Sequence, residues 1–173
     1  RFYATSVAGT RFRRAVPVNE SISVGQQVLS HEEIEMFLDQ ANMEAFTLAP
    51  CPCRNRTDKM GIRECKDKFP VASCLFLGMP AVMMAGTLGT AKQVSREEAR
   101  KYLEEMRQAG LVMMTDNTLE MKDGVICLCC GCCCSNIRGR TVWDNPTAVL
   151  PSPFIPIASD ECVQCETCID RCM

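Results

Sequence analysis

Histidine is nearly missing from this chain, which has one histidine and one tryptophan among 173 residues. With His31 as the only imidazole, and far from every cysteine in sequence, a zinc site that needs paired histidines is excluded. The chain also lacks a nucleophile–base pair, a P-loop and a dinucleotide fingerprint. These absences count against the common hydrolases, nucleotide-binding enzymes and dehydrogenases.

The sequence also lacks an excess of charge of either sign. Its 19 basic and 21 acidic side chains give a net charge of −2, which argues against wrapping of nucleic acid through phosphate contacts. The longest uncharged stretch, residues 71–91, carries Pro80 and several glycines but no aromatic belt. We therefore predict that it is buried core and not a membrane span.

Cysteine is the residue in excess, with fourteen in the chain. They are too densely grouped to staple distant loops, and adjacent cysteines bridge each other poorly. All-thiolate sets are typical of iron–sulfur clusters or zinc. The sequence thus predicts metal coordination by three groups: Cys51, Cys53, Cys65 and Cys74; Cys127, Cys129, Cys130, Cys132, Cys133 and Cys134; and Cys162, Cys165, Cys168 and Cys172.

The third group has the most specific spacing, CxxCxxCxxxC over residues 162–172. In this pattern three thiolates hold one cubane and the fourth cysteine is directed to a second cluster. The segment resembles part of a bacterial-type [4Fe–4S] ferredoxin, and the resemblance implies that Cys162, Cys165, Cys168 and Cys172 are ligands. Met173 stands where that family usually has proline.

The sequence opens with a basic segment, residues 1–14, which contains four arginines and no acid. This composition is typical of a mitochondrial presequence or its remnant, and equally of a disordered basic terminus. We expect a protein of the mitochondrial matrix, which is slightly favoured, or of a prokaryotic cytoplasm.

Two capping boxes predict helices. Ser30 and Glu33 precede a helix over about residues 31–43, and Ser95 and Glu98 precede one that ends near Gly110. Strands over residues 111–115 and 119–127 then form a hairpin, so the order resembles half of a winged helix. Four glutamates on the second helix would repel phosphate, which weakens a DNA-binding interpretation.

The hairpin leads into CLCCGCCC, residues 127–134. Alternate side chains of an extended strand point to opposite faces, so Cys127 and Cys129 should face one way and Cys130 the other. A turn at Gly131 should bring the last three cysteines around. One short segment can therefore present thiolates to two sites.

Taken together, residues 16–173 resemble a group of [4Fe–4S]-binding proteins found mainly in anaerobic bacteria and archaea. The shared elements are CxCR at residues 51–54 with two later cysteines, CxCCxCCC at 127–134, and SPF before the ferredoxin motif. The resemblance implies electron transfer. From the cysteine groups we expect two or three [4Fe–4S] clusters. We also expect redox protein partners, among them a multisubunit respiratory-type complex.

We expect an α+β fold with a small helical, winged-helix-like core, a short β-hairpin and a partial ferredoxin-like C-terminal segment, organised around iron–sulfur clusters. The expected divisions are a basic terminus at 1–14, a cysteine-rich core at 15–145 and a ferredoxin-like segment at 146–173. In the favoured ligand scheme, Cys51, Cys53, Cys65 and Cys74 hold one cluster. One cysteine of 127–134 completes the tail cluster, and three join Cys172.

The expected function is a one-electron relay between larger redox partners, without a catalytic residue of its own. Three alternatives stay open at this point. The first is an enzyme subunit whose cluster has an open iron site. The others are a winged-helix regulator that responds to cluster state, and a structural zinc protein.

Overall fold

The computed structural model describes residues 13–15, 37–39, 41, 43–116, 123–149 and 157–171. Its described strands form a six-stranded sheet in which every pairing is antiparallel, in the order β1-β5-β6-β3-β2-β4. The strands are β1 (Arg13–Ala15), β2 (Phe46–Pro50), β3 (Ala72–Leu77), β4 (Lys92–Val94), β5 (Val112–Asp116) and β6 (Gly124–Cys129). The helices are α1 (Pro52–Lys59), α2 (Met79–Thr87), α3 (Arg96–Gln108), α4 (Ser135–Thr141) and α5 (Thr167–Arg171).

The α+β class predicted from the sequence is confirmed, and the predicted hairpin is present as the β5–β6 pair. This hairpin lies within the sheet, because β1 pairs with the outer edge of β5 and β3 pairs with β6. The β3–β6 pairing sets Cys74 opposite Cys127. Local sequence patterns do not reveal that register, because the two strands are about fifty residues apart.

Helix α3 begins as its capping box predicts. The Ser95 hydroxyl accepts a hydrogen bond from the Glu98 N–H, and the Glu98 carboxylate accepts one from the Ser95 N–H. The helix buries Ala99 and Leu103, and Gly110 follows its C-cap with a φ of +98°. The other predicted helix lies mostly outside the described residues; within it, residues 37–39 are helical and Phe37 and Leu38 are buried.

The uncharged stretch at residues 71–91 forms β3 and then α2. The prediction of buried core holds for β3, most of which is buried, but it is wrong for the outer face of α2. Met79, Val82 and Met83 are exposed there, and Ala81 is the buried residue of this helix. Among the described residues, none of the helices combines the length and apolarity that a membrane crossing requires.

The sheet separates two sets of buried side chains. On one face, alternate residues of the central strands pack against α3 as the main apolar core, which includes Leu75, Ile126 and Leu128. On the other face, the intervening residues form two smaller clusters that are rich in cysteine. The cysteine-bearing segments therefore reach both faces of the sheet.

Candidate metal centres

Four cysteines converge at one end of the main core, and we call them the four-cysteine cluster: Cys65, Cys130, Cys132 and Cys133. Their Sγ atoms all lie within 4.8 Å of one another. Cys65 is 3.7 Å from both Cys130 and Cys133, and Cys132 lies 3.5 Å from Cys133. Four thiolates about 2.3 Å from one tetrahedral ion would be spaced by about 3.8 Å. The cluster has the composition and spacing of a thiolate metal site.

Two backbone turns bring these four cysteines together. After β6 the chain turns at residues 131–133, and the Cys134 N–H donates to the Cys130 carbonyl at 3.1 Å. The loop after α1 supplies Cys65, whose carbonyl accepts from the N–H groups of Lys68 and Phe69. Phe69 is buried in the same core, so the loop is anchored on the C-terminal side of the thiol.

Side chains from α1 and α4 surround the four-cysteine cluster. Thr57 Oγ1 donates to Cys133 Sγ at 3.1 Å. The guanidinium groups of Arg56 and Arg138 donate to the carbonyls of Cys133 and Cys132, at 3.4 and 3.2 Å. These contacts put hydrogen-bond donors beside the thiols, which favours negative charge on sulfur.

The thiols of this cluster differ in how readily they ionise. Burial raises the pKa of Cys65, but hydrogen bonds from Arg63 and neighbouring thiols outweigh it and lower that pKa to about 7. Burial raises the pKa of Cys133 to about 11, although the Thr57 hydroxyl opposes the shift. Burial also raises the pKa of Cys132. A metal ion that binds here must therefore displace protons from sulfur.

Six other cysteines form a closed chain of thiol–thiol contacts, which we call the six-cysteine ring. Around the ring each thiol shifts the pKa of a neighbour, and the last is linked in this way to the first. The order is Cys51, Cys53, Cys134, Cys129, Cys127, Cys74 and back to Cys51. Four members are buried, and Cys53 and Cys127 are half-buried. Among the described residues no histidine or carboxylate belongs to the ring, so it is a second all-thiol group, whereas the four sulfurs that all lie within 4.8 Å of one another are those of the four-cysteine cluster.

Strand pairing and two helix starts build the ring. Cys74 and Cys127 are directly opposite each other on β3 and β6, and Cys129 follows two residues later on the same face. Cys51 is the N-cap of α1, with Pro52 in the first turn, and Cys134 is the N-cap of α4. Proline is favourable at a helix start because its missing N–H would be unpaired there anyway.

One member of the ring is strongly stabilised as a thiolate. Hydrogen bonds from Cys134 and then Cys51 lower the pKa of Cys53 to about 2. Ser135 lies beside it, with its Oγ 3.8 Å from Cys53 Sγ, and also accepts a hydrogen bond from Arg56 at 3.1 Å. The pKa of Cys74 is raised by its contacts with Cys127 and Cys51. The ring thus offers one ready thiolate and further thiols that a metal would deprotonate.

Arg54 is 1% exposed and lies near thiols of both the four-cysteine cluster and the six-cysteine ring. It donates to the carbonyls of Leu128 and Pro70, at 2.9 and 3.2 Å, and to the Ser73 hydroxyl. Burial lowers the pKa of Arg54, but contact with Cys130 and the charges of Cys130, Cys51 and Cys65 outweigh it, so that this pKa is raised. No ion pair joins Arg54 to a carboxylate within the described ranges.

The structure divides the predicted cysteine groups differently from the sequence order. Cys65 lies with Cys130, Cys132 and Cys133, whereas Cys51, Cys53 and Cys74 belong to the ring. The predicted alternation along residues 127–130 is present, with Cys127 and Cys129 in the ring and Cys130 on the other face. Sequence reasoning missed Thr57 and the central position of Arg54, although the CxCR spacing marked the arginine.

The C-terminal motif has different surroundings. Cys162, Cys165 and Cys168 are exposed, and Cys172 lies outside the described residues. Gln164 and Glu166 flank Cys165 with φ values of +55° and +61°, which curl the backbone tightly around it. A hydrogen bond from Thr167 lowers the pKa of Cys165. Because Cys172 lies outside the described residues, the predicted sharing of ligands through it stays a prediction.

No family model, curated protein or solved structure matches this chain. The functional argument therefore depends on the site geometry and on the sequence motifs.

Proposed function

We propose that this protein binds [4Fe–4S] clusters and relays electrons one at a time between larger redox proteins. The observation that carries the proposal is the division of ten cysteines into two all-thiol groups, with a buried arginine that contacts Cys130 of one group and is acted on by the charge of Cys51 of the other. A third site at the CxxCxxCxxxC motif would give the upper limit of three clusters. The four-cysteine cluster and the six-cysteine ring would account for two of them.

The type and number of donors fit this cofactor. Cubane clusters are held by four cysteine thiolates, and the four-cysteine cluster offers that number. The six-cysteine ring offers two more than one cubane needs. Hydrogen-bond donors from Arg56, Thr57 and Arg138 lie next to these thiols or their carbonyls. Such donors and burial are the features that tune cluster potentials.

The buried positive charge of Arg54 also fits thiolate-bound clusters. An arginine taken out of water without an anion nearby is strongly destabilising. Since Arg54 contacts thiols and carbonyls instead of a carboxylate, thiolates are the anions that can balance it. A thiolate-ligated cluster would keep its sulfurs ionised at neutral pH and so supply that negative charge.

A cluster in either site would supply reversible uptake of a single electron, and the protein would supply insulation, potential and docking. The electron would come from a one-electron donor protein and pass to an acceptor protein, with no net chemistry on the chain itself. This role agrees with the absence of a recognisable catalytic constellation in the sequence. In its more specific form, the proposal is that the protein is a subunit of a redox complex.

The test is metal and sulfide analysis after strictly anaerobic purification. We expect a brown protein with iron and acid-labile sulfide in near-equal amounts, about eight of each for two cubanes and about twelve for three. Reversible one-electron reduction should be visible by electron paramagnetic resonance. Stoichiometric zinc without sulfide would refute the proposal.

The spacing within the four-cysteine cluster favours a second candidate, a single tetrahedral ion at this site. The Sγ–Sγ distances of 3.5–3.7 Å match the edge of about 3.8 Å expected around one zinc ion. A cubane would require these sulfurs to separate, because each would bind a different iron. In this case Cys132→Ser would release one zinc or one iron per chain, with no loss of sulfide.

A further inference from the structure

The starting observation is a fully buried arginine between two groups of thiols. Arg54 follows Cys53 of the six-cysteine ring directly in sequence, and its guanidinium donates at 2.9 Å to the carbonyl of Leu128, two residues before Cys130 of the four-cysteine cluster. The charges of Cys51 on one side and Cys65 on the other both act on it. One cation therefore acts on thiols of both centres.

The position of Arg54 is fixed by contacts that carry no compensating charge. Its Nη atoms donate to the carbonyls of Leu128 and Pro70 and to the Ser73 hydroxyl, while its Nε has no hydrogen-bond partner in the part of the chain that the structure describes. The guanidinium also lies 5.4 Å from the centre of the Phe69 ring. These contacts hold the side chain in place, yet they are neutral.

We propose that Arg54 is the shared counter-charge of the two thiol centres and raises the reduction potential of the groups bound at both. The inference rests on the proposed function, because it takes both centres to hold redox-active metal. A nearby cation stabilises the more negative, reduced state of a thiolate-bound cluster more than the oxidised state. Because the site is buried, solvent screens this interaction weakly.

The same geometry predicts that the two centres influence each other. When one centre gains negative charge on reduction, part of the field of Arg54 is offset for the other centre. The second reduction then occurs at a lower potential than it would alone. Electrons should therefore enter the two centres in sequence, not together.

The experiment removes the positive charge of Arg54 and compares the reduction potentials of the two centres. Arg54→Met and Arg54→Gln remove the cation, Arg54→Lys keeps it, and Arg140→Met is the matched control, since Arg140 is an exposed side chain paired with Asp144. Redox titration followed by electron paramagnetic resonance is run on anaerobically purified protein. Cys132→Ser and Cys129→Ser backgrounds assign each signal to its centre.

We expect both potentials to fall in the neutral variants and to stay near the wild-type values in Arg54→Lys and Arg140→Met. Unchanged potentials in Arg54→Met with full metal content, or a shift at one centre only, would overturn the inference. If the neutral variants fail to fold while Arg54→Lys folds, the charge is needed and the inference is supported. If Arg54→Lys fails as well, the role lies in the hydrogen bonds and the inference is wrong.

A chelator competition separates this inference from the proposed function. If the purified protein holds zinc and no sulfide, the proposed function fails, but a shared counter-charge still predicts about tenfold faster metal loss from both centres in Arg54→Met. If clusters are present and Arg54→Met changes neither potential nor metal loss, the inference fails alone.

Discussion

The core cysteines and the tail cysteines have the same chemistry but different settings. In the core, ten thiols are buried or half-buried and each lies close to other thiols. In the tail, the three described thiols at 162, 165 and 168 are exposed. The tail has the more specific sequence motif, whereas the core has the more complete tertiary arrangement.

This contrast separates two ways of building a metal site. A short motif with fixed spacing can wrap around a metal by itself, and so needs little support from the rest of the fold. The core sites draw on β3, β6, α1 and the loop that carries Cys65, so metal bound there links segments that are distant in sequence. Metal binding should therefore contribute to folding mainly in the core.

The largest effect should come from removing pairs of cysteines in the core and in the tail in separate variants. Cys130→Ser together with Cys133→Ser should remove metal from the four-cysteine cluster and cost several kcal/mol, out of metal-binding free energies on the order of 10 kcal/mol. Cys162→Ser with Cys165→Ser should leave the thermal midpoint nearly unchanged. Differential scanning calorimetry on anaerobic samples measures both. Equal destabilisation by the two pairs would contradict the contrast.

Thiol reactivity in metal-free protein should sharpen the same comparison. Exposed Cys162 and Cys168 should react with iodoacetamide about a hundredfold faster than buried Cys130, because the core must open locally at a cost of about 3 kcal/mol. Peptide mapping by mass spectrometry at several times gives the rates. Comparable rates in the two regions would mean that the metal-free core is already open.

The metal affinity of the four-cysteine cluster should decrease as the pH is lowered. Cys65, with a pKa near 7, is largely a thiolate at pH 8 and largely protonated at pH 6, so at the lower pH an additional proton must be displaced. Its titration alone should weaken binding about tenfold between these values. The proton on Cys133, whose pKa is raised to about 11, adds to the slope. Chelator competition at the two pH values checks this, and an affinity independent of pH would refute it.

The smallest effects should distinguish residues that support the metal site from residues that support only the fold. Thr57→Val removes the hydroxyl that donates to Cys133 Sγ, and Ser95→Ala removes the cap of α3 far from the thiols. Each should destabilise the protein by about 1 kcal/mol. Only Thr57→Val should also weaken metal binding at the four-cysteine cluster. A loss of metal affinity in Ser95→Ala would show that the site depends on global stability instead.

The sequence by itself determined the α+β class, the capped helix α3, the β5–β6 hairpin and the all-thiol donor set. It also predicted that Cys127 and Cys129 face away from Cys130. These features depend on interactions within a few residues, namely caps, turns and the alternation of a strand, so they can be derived from local pattern.

Only the tertiary structure decided which cysteines share a site. Cys65 follows Cys53 by twelve positions, yet it lies with Cys130, while Cys53 lies with Cys134. The antiparallel pairing of β3 with β6 and the course of the loop after α1 produce this division and bring Arg54 between the two groups. Such contacts join residues about 65 to 80 positions apart, and their formation depends on the packing of the whole sheet, which spacing along the chain does not encode.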